Sequence, residues 1–259
     1  MKQKILFLLI SALLSLSFGA FASNSFDGCK DQFAFNQIPV IQVKALSAKT
    51  DELCSSGHAT LHSGVTKTPL YSAEHLTRDR LRGAKELART DSFRADSRLS
   101  SGREARLTDY ARSGYDRGHI APNGDMPGTQ EQSDSFLLSN IVPQNSDHNR
   151  NLWAGIEHVT RVMAARNGEA YVVTGAAFLG NTVRIGSGVA VPTHLYKAIY
   201  FPKAGKASAW FSANAEGGKY EVISISELTK RVGIDVFPSL SVAVKIEVLE
   251  FYKPKKARN

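Results

Sequence analysis

Short apolar segments that follow one another with few helices between them constrain the fold of this chain more than any other feature. Apolar and β-branched runs bounded by turn residues are typical of strands. After a first such run at residues 68–77, the candidate strands are residues 135–144, 170–178, 195–202, 207–214 and 220–225. Because these segments do not alternate strictly with helices, we expect an α+β domain with a mainly antiparallel sheet flanked by helices.

One long helix is predicted within residues 146–168. Its apolar side chains recur at intervals of three and four residues, and Gly168 stands where a C-terminal cap belongs. The repeating residues are Leu152, Trp153, Ile156, Val159, Thr160 and Met163. Extending this face back by one turn reaches Asn149, and Glu157 lies eight residues further on, near the same face. We therefore expect both polar side chains to point inward and to lie near each other.

The remaining stretches are predicted as irregular chain, loops and one short helix. Ser224 and Glu227 form a capping-box signature for a helix that Gly233 ends. The arginine-rich stretch 78–117 indicates exposed loops and short helices. Residues 23–66 are expected to form an irregular N-terminal extension, before a main domain at 67–252 and a basic tail at 253–259.

Residues 1–22 have the composition of a secretory signal peptide. Lys2 and Lys4 precede an apolar run that ends in a small-aromatic-small sequence, Ala20 to Ala22. We expect cleavage after Ala22 and export to the periplasm or the medium. The alternative is an uncleaved membrane anchor, because the apolar run approaches the length that spans a bilayer. No later segment is as long without charges, so no membrane partner is expected after cleavage.

The chain has two cysteines, Cys29 and Cys54, both near the start of the expected mature protein. In an oxidising compartment they are expected to form a disulfide bond that braces the N-terminal extension. Two free thiols are the alternative. Neither cysteine shares a zinc-binding spacing with other Cys or His residues.

The charge balance favours an anionic partner. The whole chain carries a net charge of +8, and loss of two of its 32 basic residues with the leader leaves 30 against 24 acidic residues, or +6. A basic exported protein suits nucleic acid. The tail adds Lys253, Lys255, Lys256 and Arg258, which either assist binding or keep the chain soluble.

The segment YDRGHIAPNGDM, residues 115–126, concentrates ionisable groups around one histidine. A histidine is the side chain most easily poised to accept a proton near neutral pH. Arg117, two residues before His119 in a strand, lies on the same side as the imidazole, so the pair suits phosphate chemistry. Three other polar residues are interpreted as a loop anchor and turn formers rather than metal ligands. These are Asp116, Asn123 and Asp125.

Three segments in fixed order resemble the DNA/RNA non-specific endonucleases, the secreted bacterial nucleases related to mitochondrial endonuclease G. They are DRGH at 116–119, SNIVPQ at 139–144 and HNRNLWAGIEHVTR at 148–161. The likeness extends over roughly residues 68–240. It implies a ββα-metal nuclease fold at the active site, in which two strands and a helix surround a single magnesium ion.

The resemblance also implies roles for individual residues. His119 is the general base that activates the attacking water, and Asn149 is the direct metal ligand. Asn140 and Glu157 hold the waters of the metal and orient the site. A single amide ligand is sufficient in physical terms, because magnesium keeps several of its waters and is often bound by only one or two protein groups.

Two arginines are expected to meet the phosphate. Arg117 matches the arginine close to the scissile phosphate, and an upstream arginine stabilises charge on that group. Arg89 and Arg94 both stand near the upstream position, and Arg89 is preferred. The resemblance thus implies a Mg²⁺-dependent nuclease, with Mn²⁺ as a second cation, that cuts DNA and RNA to 5′-phosphate products. The alternatives are a nucleic-acid-binding protein without cleavage and a phosphodiesterase for small nucleotides.

Overall fold

The computed structural model describes residues 25–255, which form helices around a mainly antiparallel sheet. The α-helices are α1 (Arg78–Glu86), α2 (Leu107–Tyr110), α3 (Thr129–Ser135), α4 (Ala154–Asn167), α5 (Ile225–Val232) and α6 (Val242–Ile246). The strands are β1 (Val40–Ile41), β2 (Thr50–Cys54), β3 (Ala59–Ser63), β4 (Thr68–Thr77), β5 (Asp116–His119), β6 (Ile141–Gln144), β7 (Glu169–Ala177), β8 (Arg184–Ile185), β9 (Val189–Ala190), β10 (His194–Phe201), β11 (Lys206–Ala213), β12 (Tyr220–Ile223) and β13 (Ile234–Asp235).

Seven strands make the central sheet, in the order β12-β11-β10-β7-β4-β3-β2. Every pair in it is antiparallel, which confirms the expected α+β class. The small pair β5 and β6 stands outside this sheet. No helix within the described residues is long and apolar enough to cross a membrane, and the predicted leader at 1–22 lies outside them.

The two faces of the central sheet bury different side chains. On the apolar face, Tyr71, Val173 and Tyr196 pack with residues of the N-terminal segment and of α5. On the cleft face, apolar residues of β4, β7, β10 and β11 pack under α4. The cleft face also buries the charged side chains of Glu74 and Lys197, whose positions follow from the alternation along β4 and β10.

The prediction that residues 23–66 form an irregular extension is partly wrong. From residue 25 to 47 this segment forms short 3-10 turns and the two-residue strand β1, but β2 and β3 also lie within it and form one edge of the central sheet. Their polar residues gave no strand pattern in the sequence. The pairing of β3 with β4 is a tertiary contact, which the sequence pattern of β3 alone does not show. The predicted disulfide between Cys29 and Cys54 is present and ties the 3-10 segment to the end of β2.

Local signals predicted the helices well and one strand less well. Helix α4 ends at Asn167 with Gly168 at φ 93°, and α5 is capped by the Ser224 hydroxyl and ended by Gly233 at φ 71°. Residues 148–153 form a π-helical segment that runs into α4. The predicted strand at 135–144 is shorter than expected, because residues 138–140 form a 3-10 turn and only β6 pairs with β5.

Candidate functional site

A cavity of about 400 Å³ opens between the end of β5, the loop that follows it and the start of α4. Five of the six site residues predicted from the sequence line it: Arg89, Arg117, His119, Asn149 and Glu157. The sixth, Asn140, lies outside the lining. We call this space the central cavity. Its walls include β5, which pairs with β6, and α4, the elements that the resemblance implies for a ββα unit.

His119 ends β5 and is held by two aromatic rings. Its imidazole centroid lies 5.0 Å from that of Phe136 and 5.4 Å from that of Phe93. Burial, and to a smaller extent the nearby charge of Arg89, lowers the pKa of His119 to about 3. The imidazole is therefore neutral near pH 7 and able to accept a proton. Its Nε2 atom is buried without a hydrogen-bond partner in the described chain.

Arg117 and Arg89 each stack on one of the same two aromatic rings. The guanidinium carbon of Arg117 stands 4.3 Å from the Phe93 ring centroid, and that of Arg89 stands 5.2 Å from the Phe136 centroid. Each cation is thereby placed beside His119 without being enclosed by carboxylates. A phosphate group that enters the cavity meets two guanidinium groups on one side.

Of the two upstream arginines, Arg89 lines the central cavity and Arg94 does not. Arg94 donates to the Ser133 carbonyl at 2.8 Å, and its backbone pairs with that of Phe136 and Leu138. Its guanidinium thus binds the last turn of α3. This placement favours Arg89, which pairs only with the exposed Asp91 at 2.6 Å.

Asn149 is oriented by Asp116 at the start of β5. The Asn149 Nδ2 group donates to Asp116 Oδ2 at 3.0 Å, which fixes the plane of the carboxamide. Asp116 also accepts from Ser146 and from Arg150. Burial opposes its ionisation, but these hydrogen bonds outweigh the burial and hold the pKa of Asp116 below its usual range. The loop-anchoring role predicted for Asp116 matches these contacts, and its anchor includes the carboxamide itself.

Glu157 lines the central cavity from the first turns of α4. Burial raises its pKa to about 7, while the charges of Lys197 and Arg161 oppose that rise. The carboxyl is therefore poised to change its protonation state near neutral pH. A carboxylate with a pKa shifted by its surroundings is typical of functional sites.

Asn140 is fully buried and uses its whole amide within the protein. Its Nδ2 donates to the carbonyls of Ala121 and Ser135, and its Oδ1 accepts from Ser72 and from the Ala121 N–H, all at 2.9 Å. These bonds hold the loop after His119 against β4. The structure thus gives Asn140 the orienting part of its predicted role and leaves no amide atom for a water of the metal.

Sequence reasoning missed two groups at the site, Arg161 in the lining of the central cavity and Phe93, which contacts Arg117 and His119. Arg161 donates to Asp125 Oδ1 at 2.9 Å, so the predicted turn former Asp125 also anchors a site arginine. Arg161 follows Glu157 by four residues, and this helical spacing is the signal that would have found it. Phe93, beside the arginines of the same loop, carried no spacing signal of its own.

The donor set suits a hard divalent cation. Magnesium prefers oxygen ligands and keeps much of its hydration shell. The Asn149 Oδ1 atom is the amide oxygen opposite the fixed Nδ2, and the Glu157 carboxylate lines the same cavity. The described residues contain no cluster of three or more His, Cys, Asp or Glu side chains that could hold a metal.

Comparison with known proteins yields one family and several relatives. The family model of the DNA/RNA non-specific endonucleases matches residues 37–243. The mitochondrial Nuclease 1 of Schizosaccharomyces pombe is 30% identical over 232 residues, which cover 84% of this chain and 69% of that protein. Nuclease C1 of Cunninghamella echinulata is 38% identical over 153 residues, 54% of this chain and 61% of that protein.

Human mitochondrial Endonuclease G is 34% identical over 152 residues, which cover 54% of this chain and 51% of that protein. Among these three relatives, the matched region thus spans from about half to just over two thirds of the relative's length. A chain from the crystal structure of the EndoG/EndoGI complex superposes with a TM-score of 0.68 at 25% identity. That match covers 74% of this chain and 88% of the EndoG-complex chain.

Proposed function

Since this chain belongs to the DNA/RNA non-specific endonuclease family, we propose that it is a divalent-cation-dependent endonuclease that hydrolyses phosphodiester bonds in both DNA and RNA. The observation that carries the proposal is the meeting of His119, Asn149 and Glu157 in one cavity with Arg89 and Arg117. Residues 30 positions apart in the chain lie together there only because β5 pairs with β6 and α4 follows.

The arginines bind the phosphate that is cut. Arg89 and Arg117 hold its non-bridging oxygens, and their stacking on Phe136 and Phe93 keeps them oriented before the substrate arrives. His119 takes a proton from the attacking water, which its neutral imidazole is free to accept. Attack on phosphorus with departure of the 3′ oxygen leaves a 5′-phosphate and a 3′-hydroxyl.

Asn149 and Glu157 are the residues that hold the cation, Asn149 through its amide oxygen and Glu157 through water. A bound Mg²⁺ or Mn²⁺ neutralises charge that develops on the phosphate and on the leaving oxygen. Asp116 keeps the Asn149 amide oxygen turned away from itself by accepting from Nδ2. Lys197 and Arg161 favour the ionised form of Glu157.

Backbone contacts account for the proposed indifference to sequence and sugar. The cavity presents guanidinium groups to phosphate, and affinity from such contacts carries no base information. We expect binding to weaken steeply as salt rises, because each phosphate contact releases counterions.

A plasmid assay tests the proposal. The mature chain is incubated with supercoiled plasmid or with RNA, in Mg²⁺ or in EDTA, beside a His119→Ala variant. We expect the wild-type chain to nick plasmid and to cleave RNA in Mg²⁺ but not in EDTA. The variant should have lost both activities. A gel shift with intact plasmid would instead indicate a binding protein, and hydrolysis of only a small diester would indicate a nucleotide phosphodiesterase.

We further propose that the chain is exported to the periplasm or the medium after cleavage behind Ala22. The leader composition of residues 1–22 and the disulfide between Cys29 and Cys54 support export, because disulfides persist in oxidising compartments. N-terminal sequencing of the protein from fractionated cells should begin at Ser23. Recovery of an intact N terminus from the membrane fraction would contradict export by cleavage.

A further inference from the structure

A second cavity of about 420 Å³ adjoins the central cavity and shares three of its lining residues, Arg89, Arg117 and Asn149. It adds Arg150 on one side and the aromatic residues Tyr110 and Tyr115 on the other. We call it the flanking cavity. Whatever occupies the flanking cavity is therefore next to the group that occupies the central one.

Arg150 is pre-set to receive an anion in the flanking cavity. Its Nε and Nη2 atoms both donate to Asp116 at 2.8 Å, which fixes the plane of the guanidinium. Within the described residues its Nη1 donors have no hydrogen-bond partner, and 71% of the side chain is exposed. A planar guanidinium held in this way matches the oxygens of a phosphate group.

The charge of the flanking cavity also favours an anion. Arg117 is stacked on Phe93, and no ion pair joins it to a carboxylate within residues 25–255. Arg89 forms an ion pair with Asp91, and Arg150 forms one with Asp116. Three cations thus face two anions. The one lining carboxamide, that of Asn149, is already bonded through Nδ2 to Asp116.

We propose that the flanking cavity binds the phosphate next to the one that is cleaved, and that Arg150 is the residue that recognises it. This inference rests on the proposed nuclease function and gives it a preference for substrates with at least two successive phosphates. Asp116 joins the two sites, because one carboxylate orients both Arg150 and the metal-binding Asn149.

Three short substrates test the inference. Thymidine dinucleotide with a single phosphodiester is compared with the same dinucleotide that carries a further phosphate at its 5′ end or at its 3′ end. For the wild-type chain in Mg²⁺, kcat/KM should be about tenfold higher for one of the two phosphorylated forms, as expected for a charge-assisted arginine contact.

The Arg150→Ala variant should lose that preference, so that the ratio between the two substrates falls to near one. Arg150→Lys, which keeps the charge but not the fork, should retain part of it. The control is Arg82→Ala, since Arg82 is also an ion-paired surface arginine, 67% exposed, and lies outside both cavities. It should keep the wild-type ratio.

A wild-type chain without the preference, or an Arg150→Ala variant that keeps it, would overturn the inference. Damage to the fold or to the cation site cannot imitate the expected result, because it lowers kcat/KM for all three substrates and leaves their ratio unchanged. Plasmid cleavage by a wild-type chain that shows no preference would leave the proposed function standing and refute this inference alone. Absence of plasmid cleavage would refute the proposed function itself.

Discussion

On one face of the central sheet, Tyr71, Val173 and Tyr196 pack against other apolar residues, whereas the opposite face buries Glu74 and Lys197 beneath α4. The Lys197 ammonium donates to Thr174 Oγ1 at 2.6 Å, and one Glu74 oxygen has no hydrogen-bond partner in the described chain. Burial raises the pKa of Glu74. Buried charges cost stability unless they are fully paired. Both faces therefore bury an apolar cluster, but the cleft face also holds buried charges beside the site.

The largest effect that would sharpen this contrast is expected at His119. His119→Ala removes the proposed base, so kcat on plasmid should fall by about 10² to 10⁴-fold. Because the imidazole is buried between Phe93 and Phe136, the thermal unfolding midpoint is measured alongside and kcat is taken per folded molecule. A variant that retains at least a tenth of the wild-type rate would show that another group takes the proton.

On the apolar face, a substitution is expected to lower stability and to leave kcat unchanged. Leu228 of α5 is fully buried there, and Leu228→Ala should lower the free energy of unfolding by about 2 to 5 kcal/mol. Denaturant titration measures the loss, and kcat per folded molecule should be unchanged. A fall in kcat in fully folded protein would break the division between the two faces.

A smaller effect is expected at Asp116, which orients Asn149 without lining the central cavity. Asp116→Ala should weaken Mg²⁺ affinity by about 10 to 100-fold, as for other partners that orient a metal ligand. The Mg²⁺ dependence of plasmid nicking measures this. Asp79→Ala is the control, because Asp79 is an exposed carboxylate that pairs with Arg82 on α1. Equal Mg²⁺ dependence in both variants would contradict the role given to Asp116.

The smallest change is a pH effect that separates His119 from Glu157. Burial lowers the pKa of His119 to about 3 and raises that of Glu157 to about 7. On acidification from pH 8, Glu157 therefore gains its proton first and loses the charge that supports the cation, while His119 stays neutral. At low Mg²⁺, kcat/KM should fall through pH 7. In Glu157→Gln the remaining activity should lack this fall, and its persistence would assign the titration to another group.

Features of the fold that depend on neighbouring residues were predictable from the sequence, and features that depend on distant contacts were not. The caps of α4 and α5 follow from Gly168, Ser224 and Gly233, which act within one turn. The strand β3 was missed because its pairing with β4 outweighs its own polar composition. Within the site, the resemblance indicated five of the ten residues that line the central cavity. It gave no sign of the Arg161 contact with Asp125, because that pair joins elements 36 residues apart.

The proposed cation site is tested most directly by an anomalous-scattering map from crystals of the protein grown with Mn²⁺. We predict one Mn²⁺ peak in the central cavity, bonded to Asn149 Oδ1 and linked to Glu157 through water, and its loss in crystals of Asn149→Ala. A Mn²⁺ peak outside this cavity, or one that persists in place when Asn149 is replaced, would contradict the claim that these residues form the catalytic centre.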